Sequence, residues 1–302
     1  MEKIIIWGHK NNGHTHGYIH SSYYKAFKHL GYDTYWFDDN EDVSNFNFDN
    51  CIFLTEDQVQ KNIPLNKTCK YILHHTNLDK YDANGLTYIN LANYLKLCSE
   101  GVSAYHKENK VVKIGECCYW DETTKTIYQP WATDLMPDEI NPENAIKGNI
   151  NERNIYYIGT SHDNVNQIKE FNSAAITNGK QVIIGKTNTD NENMDLIRQS
   201  YLSVDIRGDW HVECGYLPCR VFKNISYGRI TGTNSKHVKD IFGEHVVYDK
   251  NPRILFDKLV EAEKTKSVDE IKKSMLFVKE KHTFANRINN LMKCLELIIP
   301  SN

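Results

Sequence analysis

Short apolar segments alternate with helical patterns along the first part of the chain. Residues 4–7 (IIIW) end at Gly8, and an amphipathic stretch at 19–30 ends at Gly31 before the next apolar segment at 33–37. This order predicts strand, loop, helix and strand, because a helical crossover of this length joins parallel strands. The same pattern predicts further strands at residues 51–54, 71–73 and 88–91.

The pattern breaks and then restarts in the second half. Residues 132–153 contain two prolines and many Asn and Asp residues with little periodicity, which is typical of a linker between domains. A strand at 155–158 and a helix at 165–178 follow, and another helix is predicted to begin near Pro218. From Pro252 onward the pattern is helical. The chain is therefore predicted to be an α/β protein with two doubly wound parallel sheets and C-terminal helices.

Composition limits the function classes. The chain has 302 residues, 40% hydrophobic and 25% charged, as expected for a soluble globular protein. Its 36 Lys and Arg residues against 39 Asp and Glu residues give a net charge of -3, which disfavours broad nucleic-acid binding but not a nucleotide pocket. No run approaches the ~20 apolar residues of a bilayer span, and the N-terminal apolar run is too short for a signal peptide, so we expect a cytoplasmic protein.

Several charged and polar side chains follow the predicted strand at residues 202–206. A loop there carries Arg207, His211 and Glu213, and the predicted helix begins near Pro218. Ligands of parallel α/β sheets bind beyond the carboxyl ends of the strands. We therefore expect this loop and the start of the helix to reach a ligand.

Two cations lie in the first turns of that helix. Arg220 and Lys223 are three residues apart and so share one face. Unpaired backbone N–H groups and the helix dipole attract phosphate to a helix start, where arginine can bind a diphosphate bidentately and lysine adds a point charge. The spacing is compatible with a diphosphate site and equally with a basic helix face paired with surface acids.

The order of motifs resembles the nucleotide-sugar-binding half of GT-B glycosyltransferases. Glu213 precedes R-x-F-x-x-I-x-Y-G-R-I-T-G-T-N at residues 220–234 and F-G-E-H-V-V-Y at 242–248. Y-Q-P-W-A-T-D-L-M-P at 128–137 resembles the peptide before the second lobe of short bacterial and viral members, and Y-I-G-T at 157–160 resembles its opening.

This resemblance implies two Rossmann-like lobes with a ligand cleft between them. It places an acceptor lobe at residues 1–135, a linker at 136–152 and a nucleotide-sugar-binding lobe at 153–282. It also implies that a C-terminal helix at 283–302 packs back on the first lobe. The oligomeric state is not predicted.

The implied reaction moves a sugar from a UDP- or GDP-sugar to a sugar or other hydroxyl acceptor, without an obligatory divalent metal. Many retaining members carry a glutamate near the position of Lys223, so the lysine here leaves the stereochemical outcome open. The residues implied to bind the donor are Gly159, Thr160, Arg207, Arg220 and Lys223, with Glu213 as the catalytic contact to donor hydroxyls.

Histidines cluster near the N-terminus at His9, His14, His16 and His20. Imidazoles at short spacing can converge on zinc, but no acidic ligand lies in this loop. The sequence therefore favours a polar active-site loop, and no metal ligand is predicted.

A second pair, His74 and His75, ends the predicted strand at 71–73. Side chains alternate along a strand, so only one of the two can point towards a ligand. His16 and His75 are the leading candidates for the base that activates the acceptor hydroxyl, with a solvated loop histidine as the alternative for each.

Two rival functions remain open. A noncatalytic nucleotide or sugar-phosphate binding protein would have the same lobes without turnover. A zinc hydrolase built on the histidine loop would contain stoichiometric metal.

Overall fold

The computed structural model describes residues 2–10, 15–56, 61–74, 76–93, 111–148, 151–187 and 189–298. The chain divides into two compact units. The first contains the described residues up to Asn93, residues 111–131 and residues 284–298, and the second contains the described residues of 132–283.

The first unit is built on an eight-stranded sheet, in which the predicted strands are confirmed. Strands β1 to β5 are all parallel, and β8 continues the sheet parallel to β5. Strands β7 and β6 then pair antiparallel at the edge, an arrangement that the sequence pattern did not predict. The order is β2-β1-β3-β4-β5-β8-β7-β6, with bounds Lys3–Trp7 (β1), Thr34–Phe37 (β2), Cys51–Glu56 (β3), Lys70–His74 (β4), Thr87–Ala92 (β5), Val111–Gly115 (β6), Cys118–Asp121 (β7) and Thr126–Tyr128 (β8).

Helices α1 (Thr15–His29) and α2 (Asp79–Ala83) belong to the first unit. The strands β1, β3 and β4 are buried over almost their whole length, as expected for parallel strands covered on both faces. The predicted crossover from β1 through α1 to β2 is confirmed.

The described residues of the second unit form five strands in two groups, and the paired strands within each group are parallel. Strand β9 (Asn154–Ile158) pairs with β10 (Gln181–Gly185), and β11 (Ser203–Asp205), β12 (Thr231–Thr233) and β13 (Val246–Tyr248) form a second group. The backbone N–H of Tyr201 donates to the carbonyl of Asn154 at 2.8 Å, just before β11 begins. The helices are Val165–Thr177 (α3), Asp190–Gln199 (α4), Asp209–Glu213 (α5), Cys219–Ser226 (α6), Lys236–Phe242 (α7), Pro252–Thr265 (α8) and Val268–Lys281 (α9).

The predicted helices near residues 165 and 218 are confirmed as α3 and α6. The predicted polar loop after residue 206 is wrong in part, because His211 and Glu213 lie on the short helix α5. Gly208 is extended at the start of this helix, and Asp209 gives its first turn an acidic residue, which the helix dipole favours.

The last helix, α10 (Phe284–Leu297), belongs to the first unit and packs on α1. The rings of Tyr23 and Phe284 meet edge to face at 4.7 Å. Fully buried Arg287 donates its Nε–H to the carbonyls of Pro130 at 2.9 Å and Trp131 at 3.3 Å. Among the described residues, no helix is both long enough and apolar enough to cross a bilayer.

Candidate functional site

A buried carboxylate lies at the carboxyl end of β11 in the second unit. Asp205 is fully buried, and its Oδ1 accepts hydrogen bonds from Nε of Arg207 at 2.8 Å and from Nη2 of the same guanidinium. Burial alone would lower the pKa of Arg207, but the Asp205 carboxylate reverses that effect and raises it. The buried guanidinium therefore stays charged, because the adjacent carboxylate compensates its desolvation.

Asn234, which follows β12, forms two hydrogen bonds with the backbone that follows β11. The backbone N–H of Arg207 donates to Oδ1 of Asn234 at 2.7 Å, and Nδ2 of Asn234 donates back to the Arg207 carbonyl at 2.8 Å. A buried amide that uses both of its ends in this way fixes the backbone. The peptide leaving β11 is consequently held in one conformation.

Arg220, the second residue of α6, extends to the same carboxyl edge. Its guanidinium stacks over the Tyr157 ring at 3.8 Å from the centroid, and Nη1 donates to the Tyr157 hydroxyl at 2.6 Å and to Oδ1 of Asp205 at 3.3 Å. Nε and Nη2 both donate to the carbonyl of Ile158, at 3.2 and 3.0 Å. Two strand ends, β9 and β11, thus hold one cation in place.

These bonds leave part of the Arg220 guanidinium available. Arginine has five N–H donors, and the contacts just described use the Nε–H, both Nη1–H groups and one of two on Nη2. Nη2 is also the atom that faces Gly159, where a Cβ would lie only 2.8 Å from it. In the described part of the chain, the remaining donor has no acceptor and lies beside a residue without a side chain.

Substituting Gly159 with alanine should therefore disturb Arg220. Gly159 has a φ of +120°, which L-residues rarely adopt, so we expect the free energy of unfolding to fall by about 1–3 kcal/mol. Gly179→Ala is the matched control, because Gly179 also has a positive φ (+69°) but no atom within 4 Å of the place where the alanine methyl group would lie. Urea unfolding measures both, and equal losses would show that the contact with Arg220 adds nothing.

Lys223 lies in a different environment from Arg220 although both belong to α6. Its Nζ is 3.9 Å from Oδ2 of Asp134, and its side chain is only 7% exposed. The same carboxylate accepts hydrogen bonds from the Tyr227 hydroxyl at 2.8 and 2.7 Å. Burial, followed by the charge of Asp134, raises the pKa of Tyr227, so this hydroxyl remains a donor. The two predicted diphosphate cations have different partners.

The remaining predicted residues of the second unit are more exposed. Thr160 follows Gly159 in the turn after β9, and Glu213 is the last residue of α5; both side chains are exposed. On the same helix, burial and then the charge of Arg207 lower the pKa of His211. Glu213 and Thr160 are accessible to a ligand, and His211 is biased towards its neutral form.

A cluster of imidazoles surrounds a buried glutamate in the first unit. His9 follows β1, His16 lies in the first turn of α1, and Glu56 ends β3. Nε2 of His9 is 2.8 Å from Oε2 of Glu56, and Nδ1 of His16 is 3.7 Å from Oε1. The absence of an acidic residue from the loop was misleading, because the carboxylate comes from a neighbouring strand.

Two more histidines flank this group. Burial lowers the pKa of His20 to about 4, and its Nδ1 lies 2.9 Å from the carbonyl of Gly8. The ring of His74 lies 5.7 Å from that of His16 and meets Trp131 edge to face at 4.8 Å. His75, the other predicted base, lies outside the described residues.

Sequence reasoning missed Asp205 and Glu56. Each is the last residue of a buried strand, and an acidic residue at the carboxyl end of a parallel strand is a usable signal. Neither carboxylate was predicted, because neither lies within a polar loop.

The comparisons with known proteins identify the fold. No protein-family model and no curated protein matches the chain by sequence. An alpha-glucosyltransferase solved with UDP and a 13-mer DNA containing a central A:G mismatch matches with a TM-score of 0.63 at 8% identity, covering 98% of this chain and 100% of that chain. An alpha-glucosyltransferase solved with UDP and DNA containing an HMU base matches with a TM-score of 0.62 at 8% identity, covering 98% and 99%.

A UDP-forming trehalose-phosphate synthase from Burkholderia vietnamiensis matches less well, with a TM-score of 0.49 at 10% identity, covering 94% of this chain and 80% of that chain. The predicted fold class is confirmed by the first two matches: the chain has the GT-B fold of nucleotide-sugar glycosyltransferases. The expectation that broad nucleic-acid binding is disfavoured gains no support from these matches, because both alpha-glucosyltransferase structures hold DNA.

Proposed function

We propose that this chain transfers a sugar from a nucleoside diphosphate sugar to a hydroxyl acceptor. The proposal starts from the GT-B fold, which extends over 98% of the chain in the match to an alpha-glucosyltransferase. Because that structure holds UDP, we propose a UDP-sugar as the donor in preference to a GDP-sugar. The transfer is proposed to need no divalent metal.

The observation that supports the proposal most directly is the orientation of Arg220. A leaving diphosphate develops negative charge, and donors fixed in advance stabilise that charge without reorganising during the reaction. Arg220 is fixed by Tyr157, Ile158 and Asp205, and its spare N–H is on the atom beside Gly159. The missing side chain of Gly159 leaves room for a phosphate oxygen at that N–H.

The other predicted donor residues have distinct proposed roles. Arg207, bound to Asp205, positions the carboxylate that orients Arg220. Thr160 and Glu213 are exposed, and Glu213 is proposed to contact hydroxyls of the donor. Lys223 remains a proposed second cation, and its contribution to diphosphate binding is tested separately by Lys223→Met.

His16 is the proposed base for the acceptor hydroxyl. Its side chain is 19% exposed, whereas His9, His20 and His74 are almost completely buried. The Glu56 carboxylate on the Nδ1 side favours a proton on Nδ1, which leaves the lone pair of Nε2 to accept the acceptor proton. His75 stays a prediction.

Substituting His16 with asparagine is expected to lower kcat by about 10²–10⁴-fold, the usual contribution of a general base. Donor affinity should change little, because the residues proposed to bind the diphosphate are on other elements. His162→Asn is the matched control, since the side chain of His162 is 76% exposed in the second unit. A kcat that does not fall, with or without a fall in UDP affinity, would show that His16 is not the base.

Two measurements test the function: thermal unfolding with UDP, and incubation with labelled UDP- and GDP-sugars. We expect UDP to raise the midpoint of thermal unfolding, because a ligand that binds only the folded state stabilises it. We also expect slow hydrolysis of the UDP-sugar without an acceptor. Saturable binding with no hydrolysis and no transfer to any acceptor would instead indicate the noncatalytic binding protein.

The acceptor panel includes DNA as well as sugars. The alpha-glucosyltransferase structures hold DNA, in one case with an HMU base, so a duplex carrying a hydroxymethylated base presents a hydroxyl of the proposed class. Unmodified duplex is its control. Transfer to the modified duplex alone would show that DNA acts through its hydroxyl.

A further inference from the structure

The carboxylate of Glu56 directs its two oxygens at two different imidazoles. Glu56 is 3% exposed and His9 is 2% exposed, so both groups are shielded from water. Oε2 is 2.8 Å from Nε2 of His9, whereas Oε1 is 3.7 Å from Nδ1 of His16, too long for a hydrogen bond. The three residues come from separate elements, the ends of β1 and β3 and the first turn of α1.

These spacings are close to those of a metal coordination shell. The three potential ligand atoms all lie within 4.8 Å of one another. Tetrahedral zinc with bonds of about 2.0–2.2 Å holds its ligand atoms roughly 3.4 Å apart. The measured separations, 2.8 Å from Oε2 of Glu56 to His9 and 3.7 Å from Oε1 to His16, lie on either side of that value. Small rotations of the side chains would bring both ring nitrogens and one oxygen of the carboxylate to bonding distance of one ion.

We propose that His9, His16 and Glu56 bind one divalent transition-metal ion, of the Zn²⁺ class. Two imidazoles and one carboxylate form a mixed nitrogen and oxygen set that suits Zn²⁺, whereas Mg²⁺ and Ca²⁺ prefer oxygen ligands throughout. The cation also compensates the buried negative charge of Glu56. A fourth coordination position is left for water or another ligand.

The surroundings support such a shell. His20 lies against the His9 ring at 5.2 Å and is anchored to the carbonyl of Gly8. His74 lies against the His16 ring and is itself held by the ring of Trp131. Packing of this kind restricts the orientation of the ligand imidazoles, which favours metal affinity.

The inference goes beyond the proposed transfer reaction and has one consequence for it. A metal bound at Nδ1 of His16 leaves the proton of that imidazole on Nε2, so the ring cannot accept a second proton. Stoichiometric Zn²⁺ should then inhibit the transfer. Metal binding itself needs neither donor nor acceptor, so it is measured even if the proposed transfer is wrong.

The experiment uses the full chain without an affinity tag, treated with a chelator and dialysed. Titration with Co²⁺ should give intense visible d–d bands of a four-coordinate ion, saturating at one equivalent, and Zn²⁺ should displace the Co²⁺. Calorimetric titration with Zn²⁺ gives the affinity. Six-coordinate Co²⁺ spectra, or uptake without saturation, would overturn the proposal.

Variants locate the site. Glu56→Gln keeps the volume of the buried side chain and should weaken Zn²⁺ binding by more than about 100-fold, since even changes around a metal ligand cost about 10–100-fold. His16→Asn should have a similar effect, and His162→Asn, at an exposed histidine, should have none. Unchanged affinity in both ligand variants would place the metal elsewhere. If Glu56→Gln fails to fold, His16→Asn still shows whether the ion binds at this cluster.

Discussion

Replacing Arg220 with alanine is expected to lower the affinity for UDP by at least about 30-fold. Removing one partner of a buried, charge-assisted pair typically costs about 2–5 kcal/mol, and each 1.4 kcal/mol is tenfold in affinity. The Arg220 guanidinium is held by four hydrogen bonds and stacked on Tyr157, so it is oriented before the ligand binds. Calorimetric titration with UDP measures the loss.

Two further variants make this result interpretable. Arg253→Ala removes an exposed arginine from α8 in the same unit and should leave UDP affinity unchanged. Arg220→Lys keeps the charge but loses the planar fork, and should bind UDP more weakly than the unmodified chain. If Arg220→Ala folds and binds UDP as tightly as Arg253→Ala, the proposed diphosphate site is wrong.

The substitution Asp205→Asn is expected to destabilise the fold strongly. Asp205 forms ion pairs with both Arg207 and Arg220, and breaking a buried ion pair by removing one partner typically costs about 3–5 kcal/mol. Equilibrium unfolding in urea should therefore show a lower midpoint with an unchanged slope.

The matched control is Asp240→Asn, which removes the acidic partner of Lys236 from an exposed i,i+4 pair on α7. Such surface pairs contribute little, so the midpoint should barely move. Equal stability of the two variants would mean that Arg207 and Arg220 find other compensation. The folded fraction of the Asp205→Asn variant should also bind UDP more weakly, because Arg220 loses the ion pair with Asp205 that helps to orient it.

Sequence periodicity predicted most of the elements that position these groups. The strands β1, β3, β4 and β9 follow from short apolar runs, and α3 and α6 follow from their amphipathic spacing and, for α6, from Pro218. The hairpin of β6 and β7 was not predicted, because its two connecting residues, Glu116 and Cys117, are not a turn pair such as Asn-Gly or Asp-Gly.

The partners of the charged residues could not be predicted from local sequence pattern, because they are distant in the sequence. Arg220 and Lys223 share a helix face, yet Arg220 extends to Asp205 and Ile158 while Lys223 lies near Asp134, 89 positions earlier in the chain (223 − 134). Likewise, His9 is near Glu56 because β1 and β3 are neighbours in the sheet. Residue type and spacing identified the cations and the imidazoles, and only the fold identified their carboxylates.

Helix α10 makes the order of synthesis matter for folding. The first unit needs this helix, since Tyr23 packs on Phe284 and Arg287 binds the carbonyls of Pro130 and Trp131. A ribosome must therefore complete the whole second unit before the first can close its apolar core. During that interval the nascent N-terminal half presents uncovered apolar surface, which is the kind of surface that chaperones bind.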